Sequence, residues 1–282
     1  MSAPSGTAAS GDEMPGSDHQ RRLGCAWYVT GVCNYACPYC YYAVKPTHHP
    51  EIRMADVRAV FGSLAGARGQ LDIALTGGEP SLHPLFAELL RYFSGAGHRL
   101  LVSTNLTCGS APFLRGVSEP ARCAINASFH PSHADMASFG PEVRRLLDAG
   151  FRVRPSYVLY PPHVEARPSY EAALQEHAPS AVLEGMGFVG EYEGRTYPEP
   201  TSTHSASAAS RPGESEEASR RRLCRAGCDY FAILADGAIA RCVSGVPLRG
   251  DKWPRFELST TPAPCPLDEC LCADMHQLWV SG

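Results

Sequence analysis

The 282-residue sequence has no apolar run approaching the ~18 residues that a helix needs to cross a bilayer, so no membrane partner is expected. Its first twenty residues, MSAPSGTAASGDEMPGSDHQ, are small and polar and lack the apolar middle of a secretion signal. A disordered leader over residues 1–22 and a cytoplasmic location are expected. Lys and Arg form no stripe and the formal net charge is -4, so nucleic acid is not an expected partner. No internal repeat is present, which argues against stacked-repeat folds. Against these absences, 44% of the residues are hydrophobic, enough to bury a substantial core in one large domain or two.

Cysteine is what the chain has in quantity. Twelve cysteines in a chain without an export signal are poor disulfide candidates and better metal ligands. Cys33, Cys37 and Cys40 lie near the start, and Cys224, Cys228, Cys242, Cys265, Cys270 and Cys272 crowd the end. Cys25, Cys108 and Cys123 stand alone and read as small buried hydrophobes.

From residue 24 to about 190, strand patterns alternate with helical ones. CAWYVTG, LDIALTGGEP, HRLLVSTN, RCAINASFH, FRVRPSYVLY and AVLEGMGFVG read as strands. MADVRAVFGSLAG, PLFAELLRYFSGAG, a short segment near 111–116, HADMASFGPEVRRLLDAG and SYEAALQEHA read as helices. Six strands alternating with helices predict an α/β fold with a parallel sheet and right-handed crossovers, whose chemistry sits on loops after the C-terminal ends of strands. The CNYACPYC loop, the GGEP turn, STN and SFHPSH all fall there. Residues 193–222, rich in Ser, Pro, Ala and charge, read as a flexible linker or insertion. Residues 223–282 carry six cysteines and little aliphatic density, so this segment is expected to depend on metal.

Three thiolates within eight residues leave one coordination position of a four-iron cluster unfilled. A zinc site completed by His48 or His49 is the alternative. Gly77 and Gly78 allow close backbone approach, and Glu79 places a carboxylate beside them. Ser103, Thr104 and Asn105 put polar groups at a strand mouth. CxxxCxxC after the first strand, followed by GGEP and STN after the second and third, resembles the radical S-adenosylmethionine (SAM) superfamily over residues 24 to 190. The resemblance implies a partial (β/α)6 TIM-like barrel as core over residues 23–192. It implies a [4Fe-4S] cluster on Cys33, Cys37 and Cys40 with SAM chelating the open iron, and Tyr39 against the adenine. It further implies the glycine motif at the methionyl amino group with Glu79 near the ammonium, STN at the ribose, and Ser128 of NASFHP facing SAM. Arg154, in a strand that sends Arg152, Arg154 and Ser156 to one face, could pair with the SAM carboxylate or an anionic substrate group, or could cap a helix. His130 and His133 read as loop-surface residues.

CRAGCDYFAILADGAIARC reads as a β-hairpin turning at Asp236–Gly237, with cysteines at its two ends. It resembles the opening half of the SPASM/twitch extension of radical SAM enzymes, with CPLDECLC as the closing half. The full SPASM pattern needs seven cysteines and six are present here. The resemblance therefore implies one auxiliary iron–sulfur cluster, a [4Fe-4S] cluster, held by Cys224, Cys242 and Cys265, with Cys270, Cys272 or the spare Cys228 as fourth ligand. A zinc ribbon from the same thiols is the alternative.

The function so implied is an oxidoreductase that reductively cleaves SAM to a 5′-deoxyadenosyl radical and abstracts hydrogen from a C–H bond. The substrate is a peptide, as for a natural-product maturase, or a small amino or sugar compound, and a flavodoxin or ferredoxin is the expected reductant. The auxiliary cluster is the expected electron acceptor. Without an acceptor, a thiol such as Cys108, Cys123 or Cys228 could quench the radical in a redox-neutral epimerase. No cobalamin-binding segment is evident, which disfavours a methyltransferase. A non-catalytic iron–sulfur or zinc redox sensor is the reading from another class, and GGEP and STN have no use in it.

Overall fold

A computed structural model describes residues 22–40, 46, 48–197, 223–243 and 245–264. Residues 1–21 of the expected leader, most of the expected linker, and Cys265, Cys270 and Cys272 lie outside the described residues. In chain order the core elements are β1 (Gly24–Thr30), α1 (Met54–Arg68), β2 (Asp72–Gly77), α2 (Phe86–Gly95), β3 (Arg99–Thr104), α3 (Ala111–Gly116), β4 (Cys123–Ser128) and α4 (Met136–Asp148). They continue with β5 (Arg152–Val158), α5 (Pro161–Val164), α6 (Arg167–His177) and β6 (Glu184–Met186). A hairpin of β7 (Gly190–Tyr192) and β8 (Arg195–Tyr197) follows. The C-terminal part contains β9 (Leu223–Cys224), β10 (Tyr230–Ile233), β11 (Ala238–Ala240), β12 (Pro247–Lys252) and β13 (Ala263–Pro264).

β1 to β6 pair in parallel in sequence order, as the alternation of patterns requires. The nine-stranded sheet they belong to runs β12-β11-β10-β1-β2-β3-β4-β5-β6 and does not close. One face carries alternate large residues of successive strands, among them Trp27, Ile73, Leu75, Val102 and Ile125. These pack against Val57 and Phe61 of α1, Leu89, Leu90 and Phe93 of α2, Phe139 and Val143 of α4, and Leu174 of α6 in one core cluster. Helices on a single face are what bends a parallel sheet toward a barrel rather than a doubly wound sandwich. The opposite face holds a second cluster of small side chains, Ala26, Ala74, Ala232 and Ala240, with Leu101 and Tyr230. Alanine at these positions leaves room on the inner face for a ligand.

The cysteine hairpin does not stand apart from this sheet. β10 pairs with β1 in parallel from Gly24↔Tyr230 to Trp27↔Ile233, while β11 and β12 follow antiparallel. All four residues of β10, YFAI, are buried. A strand apolar at every position needs cover on both faces, and the interior of a sheet supplies it. Trp253 completes the join, its ring 4.9 Å from that of Trp27 and 6.0 Å from that of Phe61.

β6 is shorter than its pattern predicts. The residues of AVLEGMGFVG pair only at Glu184–Met186, all three exposed, and the chain then turns into the β7–β8 hairpin. No helix among the described residues is long and apolar enough to cross a membrane.

Candidate active site

The loops expected to carry chemistry meet beyond the C-terminal ends of β1 to β4. The GGEP turn lies against the start of the cysteine loop: Gly78 N–H donates to the Thr30 carbonyl (2.7 Å) and Glu79 N–H to that of Val32 (2.8 Å). This contact explains both glycines. A Cβ on Gly77, whose φ is 135°, would sit 2.1 Å from the Thr30 oxygen, and one on Gly78 would sit 2.3 Å from the Val32 oxygen. Backbone meets backbone there with no space for a side chain.

Glu79 is fully buried. Its Oε1 accepts from Ser81 N–H (3.0 Å), Ser81 Oγ (2.5 Å) and Thr104 Oγ1 (2.8 Å), and its Oε2 accepts from Asn105 N–H (2.7 Å). Four donors around one carboxylate make a bracket between the GGEP and STN loops, and such charge-assisted bonds are the stronger kind. Asn105 extends the bracket. Its Nδ2 donates to Asn34 Oδ1 (2.9 Å), inside the cysteine motif, and its Oδ1 accepts from Thr107 N–H (3.1 Å) and Oγ1 (2.7 Å). Asn34 Nδ2 in turn donates to Thr107 Oγ1 (3.1 Å). Three loops are thus tied by side chains whose partners lie 25 and 71 residues apart. Asn34 and Thr107 were not singled out from the sequence; the only signal was the position of Asn34 between two cysteines.

Cys33, Cys37 and Cys40 are partly buried and none is in a disulfide. Cys33 Sγ accepts the Tyr35 N–H (3.4 Å), and Cys40 N–H donates to the Cys37 carbonyl (3.1 Å), which turns the loop between them. His130, from the loop after β4, reaches this segment: its Nδ1 lies 3.1 Å from Tyr39 Oη and 3.5 Å from Cys37 Sγ. The Tyr39 ring stacks on His130 (6.0 Å, 17°), and the Tyr35 ring stacks on His133 (4.7 Å, 14°). Burial first, then the neighbouring Cys37, raises the Tyr39 phenol well above its ordinary value. Both histidines therefore face the cysteine loop. His49, considered as a zinc ligand, is hydrogen-bonded through Nδ1 to Thr30 Oγ1 (3.0 Å). Among the described residues no three His, Cys, Asp or Glu side chains form a group arranged around a single ion.

On the inner face, register aligns polar residues above the alanine floor. Tyr28 opposes Thr76, Ser103 opposes Asn126, Asn126 opposes Arg154, and Ser128 opposes Ser156. Asn126 Oδ1 is buried with no hydrogen-bond partner among the described residues, so this face holds an unmet demand for a donor. Arg154 shares the face but extends to Glu184 on β6, with Nη2–Oε2 2.6 Å and both side chains 45% exposed. It caps no helix.

A second set of cysteines lies at the other end of the sheet. Cys242 follows β11, whose antiparallel register with β10 brings it back to the level of Tyr230 and Gly24. Cys242 and Cys224 join the alanine cluster of the inner face, and Cys228 is buried beside them in sequence. β13 pairs with β9 through Ala263↔Cys224 and Pro264↔Leu223, so the chain enters Cys265 directly from a strand laid along Cys224. The isolated cysteines behave as expected of packing residues: Cys25 and Cys123 are buried and Cys108 is half-buried. Burial holds the Cys108 thiol up at about 11 and that of Cys123 at about 12.

A family model for the Radical SAM superfamily matches residues 27–119, from within β1 to the loop before β4. The S-adenosylmethionine-dependent nucleotide dehydratase of Selenomonas ruminantium is 34% identical over 79 residues, 28% of this chain and 28% of its own length. The GTP 3′,8-cyclase of Chlorobaculum tepidum is 40% identical over 63 residues, 22% of this chain and 19% of its own. The chain thus matches well under two thirds of either relative's length. The crystal structure of Streptococcus suis SuiB bound to precursor peptide SuiA superposes with a TM-score of 0.54 at 14% identity, covering 83% of this chain and 62% of that one; at this identity the likeness is one of fold. Residues 27–119 are thus similar to the Radical SAM superfamily, and the matches support an iron–sulfur enzyme. The superfamily implies a four-iron cluster and SAM. Three thiols on one loop, a glycine turn packed against it and an unmet acceptor on the open inner face suit that pair.

Proposed function

We propose that the protein is a radical SAM oxidoreductase that abstracts hydrogen from a C–H bond of a peptide or a small amino or sugar substrate. The observation that carries this reading is the Glu79–Thr104–Asn105–Asn34 network, which fixes the cysteine loop, GGEP and STN relative to one another. When bound, the cluster and SAM supply a one-electron cleavage that yields methionine and a 5′-deoxyadenosyl radical. The chain's own residues divide the remaining work. Cys33, Cys37 and Cys40 hold the cluster, and Tyr39, kept protonated and braced by His130, covers the adenine. The backbone of Gly77 and Gly78 would meet the methionyl end. Glu79 and Thr104 act from beneath as positioning residues, because their polar atoms are occupied with each other. Ser103, Ser128 and Asn126 present hydroxyl and amide groups to nucleotide or substrate on the inner face. Arg154, already neutralised by Glu184, serves an anionic group only if that exposed pair opens, which costs little.

The second cysteine set supports an auxiliary iron–sulfur cluster on Cys224, Cys242 and Cys265, with a fourth thiol from Cys228, Cys270 or Cys272. The two sets flank the substrate face at opposite ends of β1, separated by about 20 Å for a seven-residue strand. An acceptor at the far end of that face suits a two-electron oxidation. The peptide alternative draws support from SuiB, whose fold this chain resembles and which binds a precursor peptide. A cytoplasmic protein reduced by flavodoxin or ferredoxin completes the reading.

Anaerobic reconstitution with iron and sulfide, followed by SAM and dithionite, tests it. Mass spectrometry is expected to detect 5′-deoxyadenosine from the wild type and none from Cys37→Ala. A fully loaded, reducible wild type that yields no 5′-deoxyadenosine contradicts the reading.

A further inference from the structure

We infer that Tyr160 is a positioning residue that sets the Tyr39 ring for the adenine of SAM and carries support to it from the β7–β8 hairpin; the inference rests on the radical SAM reading proposed above. Tyr160 follows β5 and precedes two prolines. A residue before proline is held in the extended region, and Tyr160 lies there at φ -67° and ψ 130°. Its N–H donates to the Val158 carbonyl (2.7 Å) and its carbonyl accepts the His163 N–H (2.8 Å), so its backbone is tied on both sides. The ring thus stands on a fixed root beyond the C-terminal end of β5, the same end of the parallel sheet as the cysteine loop.

That ring is the junction of an aromatic chain. Its centroid lies 5.1 Å from that of Tyr39, 5.3 Å from that of Tyr192 in β7 and 5.2 Å from that of Phe188, and Phe188 lies 5.4 Å from Tyr197 of β8. Tyr192 and Phe188 meet Tyr160 nearly at right angles, at 78° and 79°, the edge-to-face arrangement that ring quadrupoles favour. Gly190 makes room for Phe188: its φ is 145°, and a Cβ there would stand 3.1 Å from Phe188 Cζ. Among the described residues, neither hydrophobic core cluster includes Tyr39, Tyr160, Phe188, Tyr192 or Tyr197, so these rings do not serve the interior of the sheet. His130 holds Tyr39 from the loop after β4, and Ser132 Oγ of that loop lies 2.8 Å from His163 Nε2 in α5. Tyr39 is therefore held between two segments that are bonded to each other, and its packing on Tyr160 links it to the hairpin.

The experiment titrates SAM into the anaerobically reconstituted, oxidised full chain and reads the dissociation constant by calorimetry. Tyr160→Ala is expected to load the same amount of iron and to bind SAM about two- to tenfold more weakly, the range that one aromatic pair supplies. Tyr160→Phe, which keeps the ring, is expected to restore wild-type affinity. In a Tyr39→Ala chain, adding Tyr160→Ala is expected to cost no further affinity, because Tyr160 acts through Tyr39; a general weakening of the fold would subtract the same factor again. Tyr192→Ala is expected to weaken SAM binding by a smaller factor, and it carries the test where Tyr160→Ala loads iron poorly. A loaded wild type that binds no SAM refutes the radical SAM reading. A wild type that binds SAM no more tightly than Tyr160→Ala, or a loss undiminished in the Tyr39→Ala chain, refutes the role of Tyr160 and leaves that reading standing. Unchanged affinity in Tyr192→Ala refutes the support from the hairpin.

Discussion

At the scale of single residues, the glycines of the GGEP turn are required by the protein before any ligand arrives. Gly78→Ala forces a methyl group onto two backbone carbonyls of the cysteine loop, those of Val32 and Gly31, which cannot swing aside. A loss of roughly 1–3 kcal/mol in urea denaturation is expected, as for overpacking elsewhere. Gly66, inside α1 with nothing within 4 Å of a built Cβ, is the control. Gly66→Ala is expected to stabilise by about 0.5–1 kcal/mol. Equal effects at the two positions contradict the close-approach argument. His98 gives a pH dependence. It is buried, its Nδ1 accepts the Leu71 N–H (3.3 Å), and burial lowers its pKa below the ordinary value of 6.5. The unfolded chain therefore takes up the proton first as pH falls, so this contribution to stability is present above about pH 6.5 and declines below it. Denaturation midpoints measured between about pH 7 and 5.5 are expected to fall less steeply in His98→Asn, and an unchanged slope contradicts the assignment.

At the scale of elements, the site depends on loops held by each other rather than by their strands. Glu79→Gln keeps the shape of the bracket but presents an amide NH2 to at least one of the donors from Ser81, Thr104 and Asn105. A cost of about 1–3 kcal/mol is expected from the unsatisfied buried groups, with weaker SAM binding in equilibrium titration. Wild-type stability in that variant would show that the carboxylate is not the bracket. The positions of these loops were legible in the sequence, since each follows a strand whose apolar run ends at Gly, Thr or Ser. Their connections were not. Glu79 reads as a group for a bound ammonium because two of its partners, Thr104 and Asn105, come from 25 and 26 residues away, and local pattern holds no trace of them. The histidine contacts were hidden similarly: His130 and His133 read as surface residues in SFHPSH, and His133 is exposed, but only the fold brings their rings onto Tyr39 and Tyr35. β6 read longer than it is because apolar residues continue past Met186 into Phe188, which packs on Tyr160 and Tyr197 instead of extending the sheet.

At the scale of the whole molecule, the cysteine-rich segment and the core share one sheet and one hydrophobic cluster. YFAI, apolar throughout, marks β10 as an interior strand, but neither local sequence names residues 24–27 and 230–233 as partners, which is why the hairpin was recognisable and its place was not. Trp253 carries the consequence. Trp253→Ala is expected to cost about 3–5 kcal/mol and to lower the melting of the entire chain in one transition, because the ring packs on Trp27 and Phe61 beneath α1. Two separated transitions, with the core unaffected, contradict that coupling. The same continuity sets the described thiols of the two groups at opposite ends of a shared inner face, with the alanine floor between them.

The central claim is that three thiols on the CNYACPYC loop hold a cluster with one iron left open to SAM. The most direct measurement is electron paramagnetic resonance of the reduced, anaerobically reconstituted protein with and without SAM. Any auxiliary signal is removed by subtracting the spectrum of the Cys33→Ala, Cys37→Ala, Cys40→Ala chain. The account predicts that SAM changes the g-values of the N-terminal signal and that the triple variant shows no such change. An N-terminal signal identical before and after saturating SAM would contradict it.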